Sequence, residues 1–183
     1  MSKTLQQLHT DHINASRLLT ILQQQLIRLV EGEETDFGLM IDIMTYLTQY
    51  PDLYHHPKED LIFEQWQKRD ASISSLVDEL AVEHKSIIRS GIHLLELLRG
   101  VTVDVLQRRN ELIETGGRYL AHQREHMSRE ESELFPQIKR TLHREDWAWI
   151  DKQLMAPDDP LFGRAVSERF RERYAQIMRL IKE

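Results

Sequence analysis

Apolar residues recur at helical spacing along most of the chain. Leucines keep a period of three to four over residues 2–31, which predicts a first helix that ends at Gly32. A cap at Thr35 or Asp36 begins a second helix, which continues toward Arg69. The pattern therefore predicts a long helical hairpin at the start of the chain.

Prolines and caps indicate where the middle helices bend and begin. Pro51 and Pro57 each remove a backbone donor, so the second helix is expected to kink or restart at these positions. Ser75 and Asp78 resemble a capping box and Gly100 resembles a stop, which together predict a third helix.

The rest of the chain completes a second hairpin and adds a tail. A fourth long helix is predicted over residues 104–140, with a weak point at the glycine pair 116–117. A short helix at 146–154, a turn-rich break at 157–160 and an amphipathic helix at 164–181 follow.

This order of elements predicts an all-α protein. Four long helices with short connections favour an up-down-up-down four-helix bundle. We expect the bundle to occupy residues 1–142, and a C-terminal helical extension packed on it to occupy residues 143–183.

Composition and charge narrow the class of protein. The chain has 183 residues, enough for one domain, and no cysteine, which excludes disulfides, thiolate chemistry, iron–sulfur ligation and zinc fingers within it. A net charge of −6 argues against general nucleic-acid binding. No apolar run reaches the ~20 residues that cross a bilayer, and no secretory signal is visible. We expect a cytoplasmic protein without membrane or nucleic-acid partners, either monomeric or a homodimer.

Histidines and acidic residues form a duplicated pattern that carries the candidate chemistry. In each half of the chain a His lies four residues before a Glu, and positions i and i+4 share one helix face. An acid–His dipeptide lies upstream of each pair, and the two halves are related by a shift of 71 or 72 residues. The repeated elements are Asp11-His12 with His55 and Glu59, and Glu83-His84 with His126 and Glu130.

Four histidines and two glutamates that face one another would form a site for two metal ions. Buried without a metal, the carboxylates would need partners in a core of low dielectric constant, at a cost of several kcal/mol each. Imidazole and carboxylate together suit iron, manganese or zinc, and bridging carboxylates suit ions about 3.5–4 Å apart. Neither the Glu-x-x-His signature of ferritin-type centres nor the His-Glu-x-x-His motif of zinc proteases occurs.

Helix lengths test whether these side chains can meet. His12 and His55 each lie 19 residues from the connection between the first two helices, so both are roughly 28 Å from it. His84 and His126 lie 16 and 22 residues from the second connection, a mismatch of about 9 Å unless the third helix runs past Gly100 or helix tilt absorbs the difference.

On these motifs the chain resembles the hemerythrin-like, or HHE cation-binding, family over roughly Leu5 to Arg140. The resemblance implies a four-helix bundle around a non-haem centre of two Fe ions, for which Mn or Zn are substitutes. It also implies that the histidines are terminal ligands, two per iron, and that the glutamates bridge the irons. The residues at those positions are His12, His55, His84 and His126 for the histidines, and Glu59 and Glu130 for the glutamates.

The chain departs from the oxygen-carrying members of that family on its third helix. Those proteins have a second His four residues from the one at His84, whereas this chain has Leu80 and Ile88 at that spacing. One imidazole fewer opens a coordination position, which favours reaction with small oxidants or iron release over reversible O₂ carriage. The cysteine-bearing N-terminal domain of the family's repair proteins is also absent from this sequence.

The resemblance implies a di-iron protein that interacts with O₂, NO or peroxide, or that handles iron in stress response or sensing. One alternative is a di-iron oxidoreductase, peroxidase-like or NO-reducing, which would need an electron donor. A second alternative is a metal-free helical interaction module.

Several polar residues leave their roles open at this point. His56 would replace His55 as a ligand if it paired with Asp60, although we favour His55. His122 lies one turn before His126 and is either an outer donor, a substitute ligand or a polar neighbour.

The remaining candidates are assigned as follows. Tyr119 either lines a cavity of diatomic size or packs in the core. Asp11 and Glu83 either orient the adjacent histidines or are solvated. We treat three other histidines as structural, namely His9, His93 and His143.

Overall fold

A computed structural model of the chain describes residues 2–100, 105–153, 159–163 and 166–181. Within those ranges all regular secondary structure is helical, which confirms the all-α prediction. No helix in the described ranges is long and apolar enough to cross a bilayer.

The helices are arranged in four long rods and a tail. In chain order they are α1 (Lys3–Glu31), α2 (Phe37–Tyr50), α3 (His56–Arg69), α4 (Ser74–Gly100), α5 (Val105–Arg129), α6 (Phe135–Thr141), α7 (Arg144–Gln153) and α8 (Glu168–Leu180). Five-residue π-helical segments, Pro51–His55 and Glu130–Leu134, join α2 to α3 and α5 to α6. Each joined pair forms one rod, so the four rods are α1, α2 with α3, α4, and α5 with α6. A short 3₁₀ turn at Ala71–Ile73 precedes α4.

Two hydrophobic clusters show how the rods run. The large cluster contains the second half of α1, α2, the second half of α4 and the first part of α5. The small cluster contains the start of α1, α3, the start of α4, and α6. The first and third rods therefore run from the small cluster to the large one, and the second and fourth run back. This is the up-down-up-down bundle that the sequence predicts.

Capping residues explain the ends of the first two helices. The Ser2 hydroxyl accepts a hydrogen bond from the Leu5 amide, and the Asp36 carboxylate accepts one from Leu39. Gly32 ends α1 with φ of 74°, a left-handed conformation that glycine adopts without strain. The predicted limits of the first helix are therefore correct to within a residue.

The predicted cap at Ser75 was wrong. Ser75 is the second residue of α4 and not its cap, because the chain is already helical from the 3₁₀ turn, in which the Asp70 carboxylate accepts a hydrogen bond from the Ser72 amide. The pair Gly116–Gly117 lies within α5, which is continuous from residue 105 to 129, and the weakness of the helix at this pair stays a prediction. A Cβ atom at Gly116 would lie 2.7 Å from Leu26 Cδ1, so this glycine permits close approach of α1 and α5.

The π-helical segments replace the expected proline kink. Each is followed by a helix whose second residue is proline, Pro57 or Pro136. A proline ring clashes with the carbonyl four residues earlier, which belongs here to Leu53 or Ser132 inside the π segment. The wider turn accommodates that clash while the rod continues.

The described parts of the tail contact both ends of the bundle. Asp146 of α7 accepts hydrogen bonds from Arg69, and Arg173 of α8 donates to Asp36 at 2.9 Å. Asp159 accepts a hydrogen bond from Tyr46 at 2.8 Å. The predicted helix limits at residues 104, 154 and 164 lie outside the described residues. The division at residues 142 and 143 stays a prediction.

Candidate metal centre

All four rods contribute to a polar cluster between the two hydrophobic ones. The π segments and the i, i+4 spacing turn each His and Glu of a rod toward the same interior space. None of the six residues is more than 6% exposed, which places them in the interior of the bundle. The residues are His12, His55, Glu59, His84, His126 and Glu130.

The histidines meet in two pairs at one level of the bundle. The ring centroids of His12 and His55 are 4.8 Å apart, and those of His84 and His126 are also 4.8 Å apart. The mismatch of about 9 Å that the helix lengths left open for the second pair is therefore absent.

Each glutamate divides its two oxygens between the two histidine pairs. Glu59 Oε1 lies 3.1 Å from His55 Nε2, and Glu59 Oε2 lies 3.5 Å from His84 Nε2. Glu130 Oε2 lies 3.3 Å from His12 Nε2, and Glu130 Oε1 lies 3.3 Å from His126 Nε2. Both carboxylates therefore lie between the pairs, as bridging ligands of two ions would.

The four carboxylate oxygens are the main polar atoms without partners. Both oxygens of Glu59 and of Glu130 are buried and have no hydrogen bond of good geometry among the described residues, and His84 Nε2 is in the same condition. Buried oxygens of this kind are destabilising unless they bind a proton donor or a cation. The cluster therefore fits metal ions, and two groups of ligand atoms that lie within 4.8 Å of one another occur here: His12, His55 and Glu59, and His56, Glu59, His84 and His126.

Carboxylates raise the pKa values of the first histidine pair in the metal-free chain. Burial lowers the pKa of His12 and of His55, but adjoining carboxylates outweigh it. Glu130 and Glu131 raise the pKa of His12 to about 9, and Glu59 and Asp11 raise the pKa of His55 to about 10. Burial likewise raises the pKa of the two glutamates, but the histidines around them give Glu59 a lowered pKa and Glu130 one well below its usual value.

The second pair is less readily protonated than the first. Burial lowers the pKa of His126 and dominates there, whereas at His84 the charges of Glu130 and Glu59 outweigh burial and raise the pKa. The two halves of the centre therefore differ in charge although their sequences repeat.

An outer set of carboxylates faces the Nδ1 atoms of the four histidines. His55 Nδ1 donates to Asp11 at 3.2 Å, and His126 Nδ1 lies 3.6 Å from Glu83. An acid on Nδ1 fixes the ring and leaves Nε2 for the centre. From the sequence, Asp11 and Glu83 either orient the histidine next to them in the chain or are solvated. In the structure each of them instead contacts a histidine on the facing helix of its own hairpin.

The other two outer carboxylates cross between the hairpins. His12 Nδ1 donates to Glu131 at 2.8 Å, and His84 Nδ1 lies 3.9 Å from Asp60. Sequence reasoning missed both contacts, although each acid directly follows a candidate ligand. Glu131 also contacts the exposed His9 at 3.0 Å, so the prediction that His9 is merely structural was incomplete.

The three residues whose roles the sequence left open, His56, His122 and Tyr119, lie in different surroundings. His56 is buried beside the centre together with His55, and its Nδ1 lies 3.3 Å from Asp52 rather than beside Asp60. His122 is partly exposed, with Nε2 4.0 Å from Glu83, and Tyr119 is buried in the large cluster with its hydroxyl unpartnered. Neither belongs to the groups of ligand atoms found among the described residues.

Two cavities adjoin the centre. An inner cavity of about 20 Å³ is lined by histidines of both pairs, including His12 and His126, and by Gln123 and Met127. An open surface pocket of about 330 Å³ lies outside it. His12 and Met127 line both, so they separate the centre from solvent on this side.

Together these features define a helical-bundle protein with a buried histidine and glutamate cluster suited to metal ions. The chain belongs to the hemerythrin family: the model of the hemerythrin HHE cation-binding domain matches residues 3–138. The predicted family is thus confirmed. No curated protein matches the sequence.

Proposed function

We propose that the protein binds two non-haem iron ions and uses them to interact with O₂, NO or peroxide, or to handle iron in stress response or sensing. The supporting observation is the set of unpartnered carboxylate oxygens of Glu59 and Glu130, divided between two histidine pairs. Buried oxygens of this kind need a proton donor or a cation, and two metal ions would take the place of the protons on the adjacent histidines. A metal-free interaction module would have no use for them.

The proposal gives each residue a role. His12 and His55 hold one ion, His84 and His126 hold the other, and the two glutamates bridge them. Bound iron supplies Lewis acidity and one-electron chemistry, whereas the chain sets ligand number, ring orientation and access. The donor set also accepts manganese or zinc. A cytoplasmic location is part of the same proposal.

The size of the inner cavity supports a small ligand. A volume of about 20 Å³ is enough for at least one water-sized molecule, which supports a diatomic or peroxide as the ligand. The surface pocket gives such a molecule a route to His12.

Iron per chain, measured with the near-ultraviolet spectrum, tests the proposal. We expect two irons per chain after anaerobic loading with ferrous salt, because the centre offers two histidine pairs. Glu130→Gln and Glu59→Gln should each lose binding, since an amide cannot bridge two cations as a carboxylate does. Glu64→Gln is the matched control, because Glu64 is on the same helix as Glu59 but is exposed and pairs with Lys68.

Either of two results would contradict the proposal. One is a chain that binds no iron after loading, which would leave a helical interaction module. The other is a Glu130→Gln protein that keeps both irons.

A further inference from the structure

His56 is a buried imidazole for which the proposed centre has no role. It is 7% exposed, and its amide donates to the Pro51 carbonyl five residues earlier, which closes the first π segment. Its Nδ1 has no hydrogen bond of good geometry, and the nearest acid is Asp52, at 3.3 Å. Because buried polar atoms are normally bonded, the His56 ring needs a hydrogen-bond partner or a cation at Nε2, or at both nitrogens.

The position of the His56 ring relates it to the second histidine pair. Ligand atoms of His56, Glu59, His84 and His126 all lie within 4.8 Å of one another. The ring centroids of His56 and His84 are 4.3 Å apart, similar to the 4.8 Å within each of the two pairs. His56 is therefore as near to His84 as the paired histidines are to each other, although its ring is stacked on that of His84 at 21°, whereas the rings within the pairs are inclined at 52° and 81°.

The contact of His56 with Asp52 follows the pattern of the other four imidazoles. Each of those has a carboxylate beside Nδ1, which leaves Nε2 free for a metal. With a proton on Nδ1 beside Asp52, His56 also presents an Nε2 lone pair.

We propose that His56 is a third imidazole ligand of the ion held by His84 and His126. The inference rests on the proposed function and deepens it, because it makes the two ions inequivalent. In the sequence repeat, the position that corresponds to His56 is Met127, 71 residues later, so the other ion gains no third imidazole.

The consequence concerns where a small ligand enters. The ion of His84 and His126 would carry three imidazoles and the two bridging carboxylates, whereas the ion of His12 and His55 would keep an open position. His12 lines both the surface pocket and the inner cavity, so the open position is on the side that solvent reaches.

Paramagnetic NMR of the chain loaded with Co²⁺ tests this inference without any activity. With ¹⁵N-labelled histidine, each imidazole bound to cobalt gives one strongly shifted N–H signal. We expect five such signals with two Co²⁺ per chain. His56→Gln should remove one signal and weaken one of the two ions by at least about tenfold, the scale seen even for loss of an outer partner. His122→Gln is the control and should remove none.

The outcomes separate the two proposals. Four shifted signals in the unaltered chain, or two ions and an unchanged spectrum in His56→Gln, would overturn the third ligand and leave the proposed function standing. A chain that binds neither Co²⁺ nor Fe²⁺ would overturn the proposed function, and the third ligand with it. Because the count is made on the unaltered chain, the test holds even if His56→Gln does not fold.

Discussion

At the residue scale, Glu131 links the candidate centre to the surface. Its carboxylate accepts from His12 Nδ1 at 2.8 Å and contacts His9 at 3.0 Å. Burial raises the pKa of Glu131, but His12 and His9 outweigh it and lower the pKa, so the group is ionised at neutral pH. An ionised acid on Nδ1 makes the opposite nitrogen a better ligand.

Replacing Glu131 should therefore weaken one ion selectively. In Glu131→Gln we expect the affinity for the ion of His12 and His55 to fall by about ten- to a hundredfold, while the other ion is retained. Anaerobic titration with Fe²⁺ measures both steps. Glu133→Gln is the control, because Glu133 is in the same π segment but exposed. Equal losses in the two variants would contradict the role given to Glu131.

Residue spacing was enough to predict which six side chains meet, but not what orients them. The i, i+4 pairs and the repeat depend on helix periodicity, which the sequence displays directly. The contacts of Asp11 with His55 and of Glu131 with His12 depend on how neighbouring rods are rotated. Such rotation is set by packing across the whole bundle and has no local signal.

At the scale of elements, hydrophobic periodicity predicted the rods well and their internal geometry poorly. Both ends of α1 follow from Ser2 and Gly32, whose chemistry is local. The π segments were not predicted, because a proline indicates a disturbed helix without specifying whether it kinks or widens. The sequence indicates Gly116 only as a weak point of the helix. The close approach of Leu26 to this glycine becomes visible only when α1 and α5 are packed together.

The two adjacent glycines of α5 make this contrast measurable. Gly117 is exposed and nothing lies within 4 Å of a Cβ built there, so Gly117→Ala should stabilise the chain by about 0.5–1 kcal/mol through helix propensity. Gly116→Ala should gain less or lose stability, because its Cβ would lie 2.7 Å from the buried Leu26 side chain. Urea unfolding of the metal-free chain compares them, and equal gains would contradict the close packing at Gly116.

At the scale of the whole molecule, metal binding and protons compete for the same nitrogens. His12 and His55 have pKa values of about 9 and 10 in the metal-free chain, against an ordinary 6.5. Their protonation stabilises the folded metal-free chain fully below pH 6.5, and that contribution is lost as the pH rises through 9 and 10. Ions that take the same nitrogens must displace these protons.

Loading the centre should therefore release at least about one proton per chain at pH 7, because His12 Nε2 and His55 Nε2 lie 3.0 Å apart and share a proton. Apparent affinity for iron should rise with pH and level off as the pH approaches the pKa values of about 9 and 10. Anaerobic calorimetric titration in two buffers of different ionisation enthalpy gives the proton count. A count near zero at pH 7 would show that the histidines are neutral before metal enters.

The carboxylates that cross between the hairpins give the connection Asp70–Ile73 a particular role. Glu131 and Glu130 of the second hairpin contact His12 of the first, and Glu59 of the first contacts His84 of the second. Neither hairpin alone supplies all the carboxylates that contact its histidines. The fold is therefore equivalent to two hairpins that associate within one chain. The connection then acts as a tether. It sets the effective concentration of one hairpin near the other, on the order of millimolar for a short link, and the geometry comes from the facing side chains.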